Sequence, residues 1–187
     1  MYYALATFRS LGHFEEREQF LGSLLNVVNS VEDLNLAPLY RIDGQSDLDE
    51  VILENWPGFE GDRPVRVGNG AALHHQHDIF GEMVLAFTPI FLDERFKAEQ
   101  SRSTLDLLFG LAKKAMQVVG TPDAGIWEVR KAWEPQTFSS LMCWAATDRA
   151  AKVAERHAPE RRGEFLAAAN KIRTEIMTRG YDADRKS

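Results

Sequence analysis

The chain has 187 residues, 44% of them hydrophobic, and this is enough for one folded domain with a core. Its formal net charge of −6 comes from interleaved acids and bases, which excludes a basic surface for nucleic acid or an anionic membrane. The single cysteine excludes an internal disulfide, and without a signal peptide or an apolar run of transmembrane length we expect one cytoplasmic domain over residues 1–187.

Helical periodicity dominates the first thirty residues. Residues 2–11 predict a helix that ends at Gly12, and residues 13–30 predict a second, amphipathic helix. The apolar stripe of this second helix consists of Phe14, Leu21, Leu24, Leu25 and Val28. Residues 31–70 contain three prolines and no sustained period, and their aromatic and aliphatic side chains argue against disorder. We therefore expect a long ordered loop, which is typical of a functional segment.

The second half of the chain predicts four more helices. Residues 71–96 predict one long helix with a kink at Pro89, and residues 103–119 predict an amphipathic helix. Thr137 is suited to cap the next helix, which continues to residue 157 and is apolar on every side from Leu141 to Ala146. Pro159 begins the last helix, whose apolar stripe consists of Phe165, Ala169, Ile172 and Ile176.

Helices with one polar face alternate with helices that are apolar all round, and this alternation predicts an inner layer covered by an outer layer. The predicted fold is all-α, built from helical hairpins in a toroid or a stacked array. The two long loops, residues 31–70 and 121–136, both precede strongly apolar helices. We therefore expect both loops on the same face, where they would form a site.

Three motifs occur in order along the chain: RPVRVGN at residues 63–69, GIWE at residues 125–128 and MCWAATDR at residues 142–149. With their flanking sequence they resemble glycoside hydrolase family 15, the glucoamylase-like and trehalase-like enzymes of (α/α)6 barrel fold. The resemblance implies inverting hydrolysis of α-glucosidic bonds in carbohydrate metabolism, acting on an α-glucoside or trehalose-type carbohydrate without a cofactor. It also implies that Glu128 is the general acid that protonates the departing glycosidic oxygen.

The residues around Glu128 are compatible with that role. An acid that keeps its proton near neutral pH needs dry surroundings, which Ile126, Trp127 and Trp133 would supply. Trp127 also offers a flat apolar face on which a sugar ring can stack. The alternative is an ordinary loop pinned by one buried tryptophan, in which Glu128 is solvated and paired with Arg130.

Three further residues are candidate substrate-binding residues. Arg66 and Asn69 would donate hydrogen bonds to sugar hydroxyls from a loop bracketed by glycines, and Arg130 lies two residues beyond Glu128. Asn69 has an alternative structural role, because Asn69 and Gly70 also read as the N-cap region of the following helix. The two roles are compatible.

The segment HHQHD at residues 74–78 raises a metal hypothesis, because His74, His77 and Asp78 are three and four residues apart. No ligand from elsewhere in the chain is indicated, so we predict no metal site. Gln76 and Asp78 match the family, where His74 is usually glutamine, and we expect them to anchor the long loop by hydrogen bonds. Cys143 lies in an apolar helix and is predicted to be a buried, unreactive thiol.

About six helices are predicted, which is half of the twelve in a complete (α/α)6 barrel. Family members carry a W-x-R-D segment upstream of the position of Met1 and a second catalytic glutamate beyond the position of Ser187. Inversion needs an acid and a base about 6.5 to 9.5 Å apart. We therefore expect these 187 residues alone to be inactive. The alternative is a non-catalytic helical binding module, which self-associates or pairs with a second chain that completes the barrel.

Overall fold

The computed structural model describes residues 2–182 and 184, with side chains for all of these except residues 98 and 99. Its α-helices are α1 (Tyr2–Leu11), α2 (Phe14–Ser30), α3 (Asp78–Leu92), α4 (Arg102–Val118), α5 (Thr137–His157) and α6 (Pro159–Arg179). Short 3-10 helices lie at Glu32–Leu34, Phe59–Gly61, Gly70–Leu73 and Glu94–Glu99. The all-α prediction is confirmed, with one addition that the sequence did not indicate: a small antiparallel hairpin of β1 (Val51–Ile52) and β2 (Arg66–Val67).

Helices α3 and α5 pack against each other at the centre of the molecule. Eleven of the fifteen residues of α3 are buried, including Phe87. Gly81 permits the close approach, because a Cβ atom at this position would lie 2.3 Å from the carbonyl oxygen of Met142 in α5. Helices α4 and α6 cover this pair, and the rings of Phe109 and Phe165 stack between them at 5.2 Å. The expected inner and outer layers are therefore present.

Several helix boundaries follow from local chemistry. Gly12 ends α1 with a left-handed φ of 81°, and Ser101 caps α4 by accepting a hydrogen bond from the Thr104 N–H at 3.1 Å. Pro159 is the first residue of α6, as predicted. Thr137 is not the cap of α5 but its first helical residue, preceded by Gln136, which makes no capping side-chain bond.

The long helix predicted over residues 71–96 is shorter, because α3 begins at Asp78 and ends at Leu92. Residues 74–77 leave the helical path since their backbone groups bond outside it: the His77 N–H donates to Asp123 Oδ2 at 2.9 Å. At the other end, the Asp93 side chain accepts a hydrogen bond from the Arg95 N–H and begins a 3-10 turn. Helix α3 continues through Pro89, and the kink expected there stays a prediction.

The interior of the described part of the chain is mostly apolar. The stretch predicted to be apolar on every side of α5 has one exposed member, Leu141, whose side chain is 43% accessible. Cys143, in the same turn, is fully buried. No helix in the described part of the chain is long and apolar enough to cross a lipid bilayer.

Candidate functional site

The two long loops meet at the carboxylate of Glu50, just before β1. Its Oε1 lies 3.2 Å from Arg66 Nε, and its Oε2 lies 3.2 Å from Arg130 Nη2. The Gly70 N–H donates a hydrogen bond to the same Oε2 at 3.5 Å. Chiefly because of the hydrogen bond from Arg130, the pKa of Glu50 is below its usual range, so the group is a carboxylate near neutral pH. One side chain thus joins residues 31–70 to residues 121–136.

The hairpin that carries Arg66 is closed by backbone contacts. Arg66 in β2 lies opposite Ile52 in β1, and the Asn69 N–H donates to the Leu48 carbonyl at 2.8 Å. Gly68 has φ of 77°, and a Cβ atom there would lie 2.1 Å from the Asp49 carbonyl oxygen, so only glycine fits. The backbone conformation of the hairpin therefore requires the glycine of the RPVRVGN motif.

Asn69 fulfils the structural role that the sequence left open. Its Oδ1 accepts a hydrogen bond of 3.0 Å from the Ala71 N–H and caps the 3-10 helix Gly70–Leu73. The side-chain amide nitrogen of Asn69 makes no hydrogen bond to the described residues. This amide N–H group consequently stays available as a donor.

The loop of residues 121–136 is anchored at its start by the buried side chain of Asp123. Its Oδ2 accepts hydrogen bonds from the His77 N–H at 2.9 Å and from Ser139 Oγ at 2.7 Å. The Ala124 N–H donates to the His75 carbonyl at 2.9 Å, which adds a second connection to the same segment. The loop is thereby fixed to the starts of both α3 and α5.

The anchors that the sequence predicted in this segment are different from the observed ones. Gln76 Nε2 and Asp78 Oδ1 are buried but have no hydrogen-bond partner among the described residues. The backbone groups of His75 and His77 hold the loop instead, because the loop offers a backbone N–H and a carboxylate to them. Burial raises the pKa of Asp78 to about 6.

Glu128 lies in a turn and has a left-handed backbone, with φ of 52°. Its N–H donates to the Gly125 carbonyl at 3.1 Å. The prediction that Ile126 and Trp127 keep water away from its carboxyl group is wrong for the described residues. Trp127 is 85% exposed and Ile126 is 48% exposed. Residues 125–128 form a turn, and the side chains of Ile126 and Trp127 extend from it into solvent.

Arg130 is not the partner of Glu128. Its guanidinium group binds Glu50 instead, and the Glu128 side chain makes no hydrogen bond or ion pair within residues 2–182. Trp133 is the inward-facing aromatic residue of the loop: its Nε1 donates to the Val129 carbonyl at 2.7 Å. The Trp133 ring meets the edges of His74 and His75 with centroids 5.6 and 5.8 Å apart.

The metal hypothesis gains no support from the geometry, since no group of three or more metal-ligating side chains clusters within the described residues. His74 and His75 pack on Trp133, and the His77 backbone binds Asp123. Cys143 is the predicted unreactive thiol, because its burial raises the thiol pKa to about 12.

Comparison with known proteins gives one consistent family. Residues 1–187 match the family model that is described as Glycosyl hydrolases family 15. The chain is 34% identical over 186 residues to a trehalase of Mycobacterium tuberculosis, covering 97% of this chain and 27% of that protein. It is 33% identical over 185 residues to a trehalase of Mycolicibacterium smegmatis, covering 96% and 27% of the two chains. A trehalase of Thermoplasma volcanium is 28% identical over 192 residues, with 99% and 29% covered.

The chain spans 27% to 29% of the length of these three relatives. No solved structure matches it significantly.

Proposed function

The chain belongs to glycosyl hydrolases family 15, and from this membership we propose that it is part of an inverting glycosidase acting on α-glucosidic bonds of trehalose-type substrates. The choice of trehalose over maltooligosaccharides and dextran-type glucans rests on the relatives, each of which is a trehalase. The observation that carries the proposal is the meeting of Arg66 and Arg130 on Glu50, because Arg130 lies only two residues along the chain from Glu128.

Glu128 is the proposed general acid. It gives its proton to the glycosidic oxygen while the bond from that oxygen to the anomeric carbon breaks. Two features support this role: Arg130 is held by Glu50, and the Glu128 side chain is free of ion pairs within the described residues. The left-handed backbone at Glu128 is the kind of local strain that clusters at functional sites.

The base that activates the attacking water is proposed to lie in another part of the enzyme. Inversion needs that base about 6.5 to 9.5 Å from the acid, on the opposite side of the sugar ring. The relatives are more than three times as long as this chain, so they have room for such a residue outside the matched region. Residues 1–187 then form one partial barrel that supplies the acid side of the site.

Arg66, Arg130, Asn69 and Trp127 are the proposed sugar-binding residues. Each arginine uses one nitrogen on Glu50, which leaves other guanidinium N–H groups to donate to sugar hydroxyls. The free amide nitrogen of Asn69 adds a donor, and the exposed indole of Trp127 provides a face for ring stacking.

Calorimetric titration of the chain with trehalose and with maltose tests this function. We expect saturable binding of trehalose that is lost in Trp127→Ala and kept in Phe59→Ala, which removes an equally exposed aromatic residue from the other loop, 83% accessible. Glu128→Gln is expected to bind trehalose as the wild type does. Loss of binding in both aromatic variants alike, or no binding of either sugar by the wild type, would contradict the assignment.

A second candidate function is a non-catalytic half-barrel that pairs with a second copy of the chain. A groove of about 840 Å³ between α1, α2 and α3 favours it, because the buried Arg17 lines this groove and its Nη1 has no hydrogen-bond partner among the described residues. Sedimentation should then show an association that Arg17→Met weakens and Arg162→Met, on the outer helix α6, does not. A chain that stays monomeric at every concentration counts against this candidate.

A further inference from the structure

We propose that Glu50 is a positioning residue that holds both Arg66 and Arg130, and through Arg130 the turn that carries Glu128. The inference rests on the proposed function insofar as it takes these arginines to bind the sugar. Its evidence is geometric: each carboxylate oxygen of Glu50 lies 3.2 Å from a nitrogen of a different arginine.

The two arginines come from different segments of the chain. Arg66 belongs to the β1–β2 hairpin, whereas Arg130 lies 80 residues after Glu50 in a loop fixed to α3 and α5. A carboxylate with two oxygens can bind two guanidinium groups at once and fix the distance between them. Two like charges brought together without it would repel each other.

Glu50 is well suited as the fixed point of this arrangement. Backbone hydrogen bonds close the hairpin on both sides of it, from the Leu53 N–H to the Val65 carbonyl at 2.8 Å and from the Asn69 N–H to the Leu48 carbonyl at 2.8 Å. The Gly70 N–H binds its carboxylate directly. The lowered pKa of Glu50 keeps the group charged through the pH range in which a glutamate is normally ionised.

Residues 126–132 are held by contacts within their own loop and by Arg130. The Val129 N–H donates to the Ala124 carbonyl at 3.0 Å and Trp133 Nε1 donates to the Val129 carbonyl at 2.7 Å, but Ile126 and Trp127 lie exposed. The Arg130 to Glu50 bond ties the middle of the turn to the hairpin. Loss of the Glu50 carboxylate would therefore free the turn and displace Glu128 together with Arg130.

Two measurements on the full chain test the proposal, with Glu50→Ala and Glu50→Asp compared with Glu54→Gln. Glu54 is exposed in the same hairpin, so its variant controls for loss of one negative charge. The first measurement is amide hydrogen exchange of residues 125–132, and the second is the dissociation constant for trehalose by calorimetry. Circular dichroism and the melting temperature of each variant establish that the helical core is intact.

For Glu50→Ala we expect faster exchange in residues 125–132 and trehalose binding weakened about tenfold, with an unchanged melting temperature. Glu50→Asp should recover part of both effects, whereas Glu54→Gln should match the wild type. A purely structural role would lower the melting temperature and would not be rescued by aspartate.

The two measurements separate the inference from the function on which it rests. Wild-type exchange rates in Glu50→Ala would overturn the positioning role, whether or not the chain binds sugar. Unchanged trehalose affinity in Glu50→Ala, with binding by the wild type, would overturn it as well. If the wild type binds neither trehalose nor maltose, the proposed function fails, and the exchange rates still decide whether Glu50 holds the turn.

Discussion

Ser139 Oγ donates a hydrogen bond of 2.7 Å to Oδ2 of Asp123, and both side chains are buried where the loop of residues 121–136 meets α5. The same oxygen accepts the His77 N–H at the start of α3. A buried carboxylate that connects three segments should matter for stability, because its loss leaves buried donors without partners.

Replacing Asp123 with alanine is therefore expected to lower the free energy of unfolding by about 3 kcal/mol. Ser139→Ala removes one of the two donors and should cost less, about 1 kcal/mol. Denaturant unfolding followed by circular dichroism measures both differences. Equal losses in the two variants would show that the bond to the His77 N–H contributes nothing.

Replacing Gly81 with alanine should also destabilise the chain, by about 2 to 3 kcal/mol, because the new methyl group would press on the α5 backbone. A Cβ atom at Gly81 would have Met142 O at 2.3 Å, and a backbone atom cannot move aside as a side chain can. Gly163→Ala in α6 is the matched control, since nothing lies within 4 Å of a Cβ atom there. It should stabilise the chain by about 0.5 to 1 kcal/mol through helix propensity. Thermal and denaturant unfolding compare the two, and a harmless Gly81→Ala would contradict the close packing.

Asp78 gives the stability of the chain a pH dependence with a defined sign. Its pKa is raised to about 6 in the folded chain, mainly by burial, so the folded state binds its proton more tightly than the unfolded state does. This contribution is fully present below the unfolded pKa and is lost as the pH rises through about 6.

Asp78→Asn removes this titration, so the variant should gain stability relative to the wild type between about pH 4 and about pH 7, by up to about 3 kcal/mol. Asp62→Asn, an exposed residue of the long loop, provides the same change of charge as a control. Denaturant midpoints of the three proteins at both pH values test the sign. A relative gain that is largest at the lower pH would contradict a buried, neutral Asp78.

Glu128→Gln is expected to change the free energy of unfolding by less than about 0.5 kcal/mol, because the side chain is partly exposed and has no bond to the described residues.

The chain of 187 residues alone is expected to release no glucose from trehalose or maltose, with or without the Glu128→Gln substitution. A glucose assay over many turnovers checks this. Steady release that Glu128→Gln abolishes would show that a base is present in these residues, for which Glu134 would be the first candidate.

The helices were predictable where their signals are local. The apolar stripes of α2, α4 and α6 indicate these helices directly, although Phe14 of the predicted α2 stripe is exposed. Gly12 and Pro159 lie at the helix boundaries that they determine. The start of α3 was not predictable, because the His77 N–H is bound by Asp123, 46 residues later. Apolar periodicity cannot report such a bond.

The site was predictable only in part for the same reason. The motifs named Arg66, Asn69, Trp127, Glu128 and Arg130 as candidates, and the described geometry brings Arg66 and Arg130 together on Glu50. Asn69 precedes Gly70, whose N–H binds the same carboxylate. Glu50 itself was missed, since it belongs to no motif and its partner Arg130 lies 80 residues away. The exposure of Trp127 was missed because composition indicates a need for burial but not which side of a turn faces solvent.

Cys143 makes the chain convenient for site-specific labelling. It is the sole cysteine of the sequence, it lies fully inside the helical core, and its thiol stays protonated far above neutral pH. Maleimide reagents react with thiolates, so the native chain should stay unmodified. A cysteine introduced at Ile42, on the first loop, or at Ile126, on the second, would then carry a fluorophore or spin label at one known position. A pair of such labels would report the separation of the two loops directly in solution.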